Sequence, residues 1–152
     1  MIYRLTLFLI LNFTSVGLGR LLGGEGPKSE WYAGLTTAPW TPPGFVIGIA
    51  WTLILICFSI YLSYLWPMVE NKKLLIGLLI LYYILSLVWN PIFFQYQQIL
   101  AGLFLIAGLA VVVGFIMFYY WTNMKSKSLL LVPYFLWLIF ATSLNVYILI
   151  KN

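Results

Sequence analysis

Five predominantly apolar runs, at 3–22, 44–66, 74–94, 99–121 and 129–150, take up most of this chain and leave it few ways to fold. Crossing a bilayer's hydrocarbon core takes about 20 apolar residues, at about 1.5 Å of rise each, and every run is that long. Hydrocarbon offers no partner to backbone N–H and C=O groups, so such runs must be helical and close their hydrogen bonds within the segment. The sequence therefore predicts an all-α integral membrane protein, a five-transmembrane-helix bundle whose first partner is the lipid bilayer. Composition agrees, because only 7% of residues are charged, against about 25% in a soluble domain. With 152 residues the chain holds the five spans as a single domain, 1–152, with no soluble appendage.

The first run is too long for the apolar segment of a signal peptide and has no small-x-small cleavage site after it, so it reads as the first helix. The odd number of spans puts the termini on opposite faces. Arg4, Lys72, Lys73, Lys125 and Lys127 fall on the side of the N-terminus, against Arg20, Lys28 and Lys151 on the other. Positive-inside sorting then makes the N-terminus cytoplasmic and places the C-terminus and the long first loop outside. No transit peptide is evident, which favours a bacterial plasma membrane over an organelle. The net charge of +5 is scattered over helix ends and forms no basic stripe, so nucleic acid is not an expected partner.

The chain has no His, and its acidic residues are Glu25, Glu30 and Glu70. That removes His-based acid/base chemistry, carboxylate metal cages and the charged relays of proton pumps, so no metal site and no cofactor are expected. Cys57 is the single cysteine, which excludes an internal disulfide, and it reads as a small core residue.

Three connections are short, so consecutive helices are expected to lie as antiparallel neighbours. The exception is the loop at 23–43, whose length in a compact bundle marks a functional segment. Ser29 is placed to cap a short helix through Glu30, Trp31 and Tyr32, with Gly34 to end it, and Pro39, Pro42 and Pro43 stiffen the return. Between 31 and 51 the chain also carries Trp31, Trp40 and Trp51, a rigid aromatic composition at the mouth of a bundle.

Polar and aromatic side chains converge beneath that loop. Trp51 lies two turns below the loop face, Trp89 and Asn90 one to two turns, Asn145 about one, and Arg20 ends the first helix there. On the last helix Tyr134, Trp137, Ala141 and Asn145 follow at i, i+3, i+7 and i+11, one stripe with space beside Ala141. Trp66 and Trp121 sit where an interfacial aromatic belt is expected, whereas Trp51, Trp89 and Trp137 are too deep for one. Two readings stand for Asn12, Asn90 and Asn145: ligand-facing amides, or interhelical hydrogen bonds worth about 1 kcal/mol each. Pro91 and Pro133 read as helix bends that free a carbonyl. The pairs Gly44 with Gly48, Ser15 with Gly19, and Ala110 with Gly114 permit close helix approach, either within the bundle or in a dimer.

At these residues the chain resembles the TspO/MBR family of tryptophan-rich sensory proteins, which includes the animal translocator proteins or peripheral benzodiazepine receptors. The resemblance rests on Trp31-Tyr32 with Leu35, Pro39-Trp40-Thr41-Pro42-Pro43 and Trp51; on Trp89-Asn90-Pro91-Ile92-Phe93-Phe94; and on Val132-Pro133-Tyr134 with Trp137, Ala141 and Asn145. It implies a five-helix bundle, often a homodimer, with a ligand cavity closed by the first loop. It also implies binding of porphyrins such as protoporphyrin IX and of isoquinoline carboxamide and benzodiazepine drugs. The implied ligand-binding residues are Trp31, Tyr32, Trp40, Pro42, Pro43, Trp51, Trp89, Asn90, Tyr134, Trp137, Ala141 and Asn145. Leu144, Tyr147 and Lys151 fit a weak sterol-contact pattern that ordinary interfacial anchors fit equally.

The function expected is a membrane receptor for porphyrin or a similar planar hydrophobic molecule, in a sensory, scavenging or trafficking role. A planar ring gains by stacking on indoles, while its carboxylates approach Arg20 or loop amides. The alternative is a light- and oxygen-dependent porphyrin-degrading enzyme using Trp51 and Trp137, whose reactive state would come from the excited pigment. A small-molecule or sterol transporter ranks behind both, since no charged relay lies within the bundle.

Overall fold

The computed structural model describes all 152 residues. Helix α1 spans Ile2–Leu22; α2 is a single turn at Glu30–Ala33; α3 spans Gly44–Met68; α4, Lys72–Asn90; and α5, Ile99–Tyr119. A second short turn, α6 at Trp121–Met124, precedes α7 at Val132–Lys151. The five long helices are each long and apolar enough to cross a membrane. The protein is an all-α membrane bundle, with a first loop that is partly helical.

In the bundle α3 packs on α1, α1 on α4, α4 on α5, α5 on α7, and α7 returns to α3, closing a ring. This corrects the expectation that every consecutive pair packs side by side. Helices α3 and α4 are joined by the short link 69–71 but are separated by α1, and meet across the bundle interior where the rings of Phe58 and Tyr82 lie 4.9 Å apart. The cause is in the small residues of α1. Ser15 Oγ donates to the carbonyl of Tyr83 at 3.3 Å, and a methyl on Gly19 would lie 2.8 Å from the carbonyl oxygen of Leu87. Asn12 donates to Ser59 Oγ at 2.8 Å, fastening α1 to α3 in the same way, so its amide is interhelical glue.

The Ser15–Gly19 and Ala110–Gly114 pairs thus serve packing within the chain, since Gly114 meets the ring of Phe135 on α7. Gly44 and Gly48 have open space around them. Cys57 is half-buried on α3, which departs from the expected core position.

Helix α4 ends sooner than its apolar run. Pro91 has no N–H to offer the carbonyl of Leu87, and the backbone widens into a π-helical turn at Pro91–Gln95. Tyr96 N–H then donates to Pro91 O at 2.9 Å. This wide turn buries Phe93 and Phe94 directly under the first loop. At the opposite face, the Lys72 ammonium donates to Trp66 O in the last turn of α3 and to Val69 O just past it, each at 2.8 Å.

The main core runs through the bundle axis, with Phe58, Tyr61, Leu62, Tyr82, Val113, Ile116 and Tyr134 fully buried. A smaller cluster of Phe93, Phe94 and Ile148 sits beneath the loop, and Trp89 packs against both.

Candidate functional site

The first loop is a tied structure. Ser29 Oγ accepts the N–H of Tyr32 at 3.2 Å and Gly34 ends the turn, as the order of residues requires. That turn presents Trp31 and Tyr32 to the π-helical segment. Trp31 meets Phe93 edge-on at 5.8 Å, and Tyr32 meets Phe93 and Phe94 at 6.4 and 5.4 Å. Burial here pushes the Tyr32 hydroxyl above its usual titration range, so it stays neutral.

Further along, Thr36 N–H donates to Asn152 Oδ1 at 2.8 Å, and Asn152 Nδ2 donates back to Thr36 O at 3.1 Å. Trp40 then rests edge-on against Tyr147 at 5.3 Å. The loop is therefore held by the π-helical turn after α4 at one end and by the tip of α7 at the other.

Beneath it lies the seam between α3 and α7, the least closely packed seam of the ring. Its deep end is Tyr134, fully buried, in edge contact with Trp51 at 6.1 Å and hydrogen-bonded through its hydroxyl to Tyr82 at 2.7 Å. Trp137 and Ala141 continue up the α7 side, half-buried and packed on the main core. Asn145 is buried one turn higher; its Nδ2 donates to Ala141 O at 3.0 Å, while its Oδ1 has no partner. The indole N–H groups of Trp89 and Trp137 are also buried without a partner. An unmet buried polar atom costs about 1 to 3 kcal/mol, so these atoms are suited to a ligand that meets them.

Of the residues expected at the site, Trp51, Tyr134, Trp137 and Ala141 share the seam, and Trp31, Tyr32 and Trp89 share the aromatic cluster under the loop. Trp40 and Pro43 are exposed on the loop, Pro42 and Asn90 half-buried. Tyr134 has its hydroxyl committed to Tyr82, so it offers a ring face rather than a hydrogen bond. Tyr147 of the sterol pattern faces Trp40, with the Lys151 ammonium 5.9 Å over its ring. Arg20 is exposed at the loop face.

Three residues escaped sequence reasoning. Asn152 ties the loop, but as the last residue it carried no pattern. Gly102 lets Phe93 sit flat on α5, since a methyl there would lie 2.7 Å from the Phe93 ring. Tyr82 holds Tyr134, and only a count of buried hydroxyls could have singled it out. No group of three or more His, Cys, Asp or Glu is placed to hold a metal ion.

Two apolar grooves open on the outer surface, one of about 720 Å³ between α5 and α7 and one of about 390 Å³ between α1 and α4. None of the expected site residues lines either.

The TspO/MBR family model matches residues 7–150. The chain is 35% identical to the "Tryptophan-rich protein TspO" of Archaeoglobus fulgidus over 144 residues, covering 94% of each. It is 34% identical to the human "Translocator protein" over 134 residues, 83% of this chain and 76% of that one. With the "Tryptophan-rich sensory protein" of Cereibacter sphaeroides the identity is 25% over 138 residues, 90% and 87% of the two chains. A five-helix bundle with Trp31 and Trp89 gathered under a tied first loop, matched over nearly its whole length, is a member of the TspO/MBR family of integral membrane proteins.

Proposed function

We propose that the protein is a membrane receptor for a porphyrin or similar planar hydrophobic molecule, bound in the α3–α7 seam under the first loop. The observation that carries this is that, of the eight buried side-chain polar atoms without partners, three, Trp89 Nε1, Trp137 Nε1 and Asn145 Oδ1, lie among the aromatic faces of the loop half. A planar ring stacks on indole, and polar substituents at its rim satisfy such atoms. Carboxylates at the rim would be drawn toward Arg20, exposed at the loop face. Isoquinoline carboxamide and benzodiazepine drugs, flat and bearing carbonyls, suit the same slot. The family resemblance adds a homodimer, for which the open Gly44 and Gly48 face of α3 has room. The single domain spans 1–152, and a sterol remains the weaker ligand, since Tyr147 is taken up by Trp40.

From the lysines after α3 and α5 we infer that the N-terminus is cytoplasmic and Lys151 outside, in what we propose is a bacterial plasma membrane. Compartment-specific reporters fused to the two termini read this directly. A signal from an external N-terminus reverses the assignment.

A second reading is favoured by one feature. Trp51 is edge-on to Tyr134, whose hydroxyl bonds to Tyr82, so a line of oxidisable side chains leads from the seam into the core. An excited porphyrin could take an electron from Trp51, add dioxygen to the resulting ring radical anion and return the electron to the indole radical, so that the pigment ends as a dioxygen adduct and the protein is unchanged. Paired titrations in the dark and decays under light and oxygen separate the readings. For the receptor, Trp51→Phe costs about 1 kcal/mol or less in protoporphyrin affinity, the scale of an aromatic pair, and Trp137→Phe, which also removes an unmet N–H, about 1.5 kcal/mol. Unchanged affinity after both become Ala would remove the slot. Pigment loss no faster than beside an inert membrane protein eliminates the enzyme, whereas loss that Trp51→Phe abolishes while binding persists establishes it.

A further inference from the structure

On the face of the N-terminus, far from the loop, α1 and α4 run parallel and then part. Their close contact is at Ser15 with Tyr83 and at Gly19 with Leu87. Toward the N-terminus the helices leave a groove of about 390 Å³, walled by Leu7, Leu11, Ile76 and Ile80, with Arg4 at its mouth and Tyr83 at its inner end. Trp66 closes one side, fixed by Phe8 at 6.0 Å and by the Lys72 ammonium 5.4 Å over its ring. The volume is that of a ligand pocket, but the lining is almost wholly apolar and faces lipid.

Its place in the bilayer and its mouth identify the occupant. From Arg4 to Leu11, the stretch of α1 that lines it, the helix rises about 11 Å at about 1.5 Å per residue, within one half of a hydrocarbon core of about 30 Å. The groove therefore lies within one leaflet and is closed inward by the Ser15–Tyr83 contact. Its mouth is cationic: Arg4 is half-buried with an Nε that has no partner, and Lys73 stands exposed on the first turn of α4. The same face carries Lys125 and Lys127, against the single acid Glu70.

We propose that this groove binds an anionic glycerophospholipid of the leaflet on the N-terminal side, one acyl chain along Leu7, Leu11, Ile76 and Ile80, and the headgroup phosphate on Arg4. A chain in the groove covers the apolar walls, and the phosphate supplies the acceptor that Arg4 Nε lacks. A zwitterionic lipid fits the same walls but brings its own ammonium to a cationic mouth, so the site discriminates by charge. This site is separate from the α3–α7 seam and stands whether or not that seam binds porphyrin.

Native mass spectrometry of delipidated protein titrated with phosphatidylglycerol or phosphatidylcholine tests this. Wild-type protein should retain phosphatidylglycerol in preference. Arg4→Gln should lower that retention about fivefold, the scale of one cation at an anionic surface, and leave phosphatidylcholine unchanged. Ile80→Trp, at an exposed wall position, should lower retention of both lipids by filling the groove. The proposal is overturned if Arg4→Gln keeps the preference, or if Lys125→Gln with Lys127→Gln abolishes it as fully, which would mean diffuse surface charge. It is equally overturned if Ile80→Trp splits a dimer while lipid retention stays unchanged, which would put a second copy in the groove.

Discussion

Trp89→Ala is expected to destabilise the protein by about 3 kcal/mol and to loosen the first loop with it, because truncating a packed indole forfeits its burial and leaves a cavity. Trp89 stacks on Phe93 at 5.5 Å with the rings 11° apart and meets Phe94 edge-on at 5.7 Å. Those two phenylalanines carry Trp31 and Tyr32, so removing the indole undercuts the loop's hold on α4. Thermal unfolding in micelles reads the first effect, and proteolysis within 23–43 the second. Trp89→Phe separates structure from binding. It keeps the stack and so most of the stability, but it lacks the N–H that has no partner in the protein. If that N–H donates to a ligand carboxylate, Phe should weaken protoporphyrin binding by about 1.5 kcal/mol, roughly tenfold. Unchanged affinity in the Phe variant takes Trp89 out of the ligand site and leaves it as the support of the loop.

The bundle was legible because hydrocarbon is an unforgiving solvent: runs near 20 residues admit one secondary structure. The short turn under Ser29 was legible for a local reason, since Ser29, Tyr32 and Gly34 need only their own backbone to cap it. Neighbour order was not. Link length says how far a helix can travel before it packs, but the close approach of α1 to α4 depends on Gly19 meeting a carbonyl on a helix 68 residues away. The same limit hid Asn152, whose bonds to Thr36 span 116 residues.

Within the expected site the sequence grouped residues by depth, which rise per residue fixes well, and left open which of them face each other. The structure divides them between the α3–α7 seam and the cluster under the loop, with Trp89 packed against that cluster and the main core. The amides also separate by partner. Asn12 Nδ2 finds Ser59 and fastens α1 to α3, whereas Asn145 turns its Nδ2 to its own helix; both leave Oδ1 buried and unmet. A depth count treats those two residues alike, and only the partner of Nδ2 tells an interhelical bond from a local one.

Releasing the loop at the α7 tip is expected to accelerate ligand escape without much change in capture. The tie consists of the paired Thr36–Asn152 hydrogen bonds and the Trp40–Tyr147 edge contact. Asn152→Ala with Trp40→Ala removes both. At about 1 kcal/mol for the bonds and about 1 kcal/mol for the aromatic pair, the closed loop loses about 2 kcal/mol, roughly thirtyfold in its closing equilibrium. A loop that opens more often lets bound ligand leave more often, so the change falls on the dissociation rate. Association is governed by reaching the seam and is slowed little. Pro42→Gly with Pro43→Gly acts in the same direction by another route, because a freer return segment has more conformations to give up on closing. Stopped-flow mixing with protoporphyrin IX resolves both rates. If dissociation is unaffected by either pair of changes, the loop is a fixed wall and ligand leaves sideways, between α3 and α7.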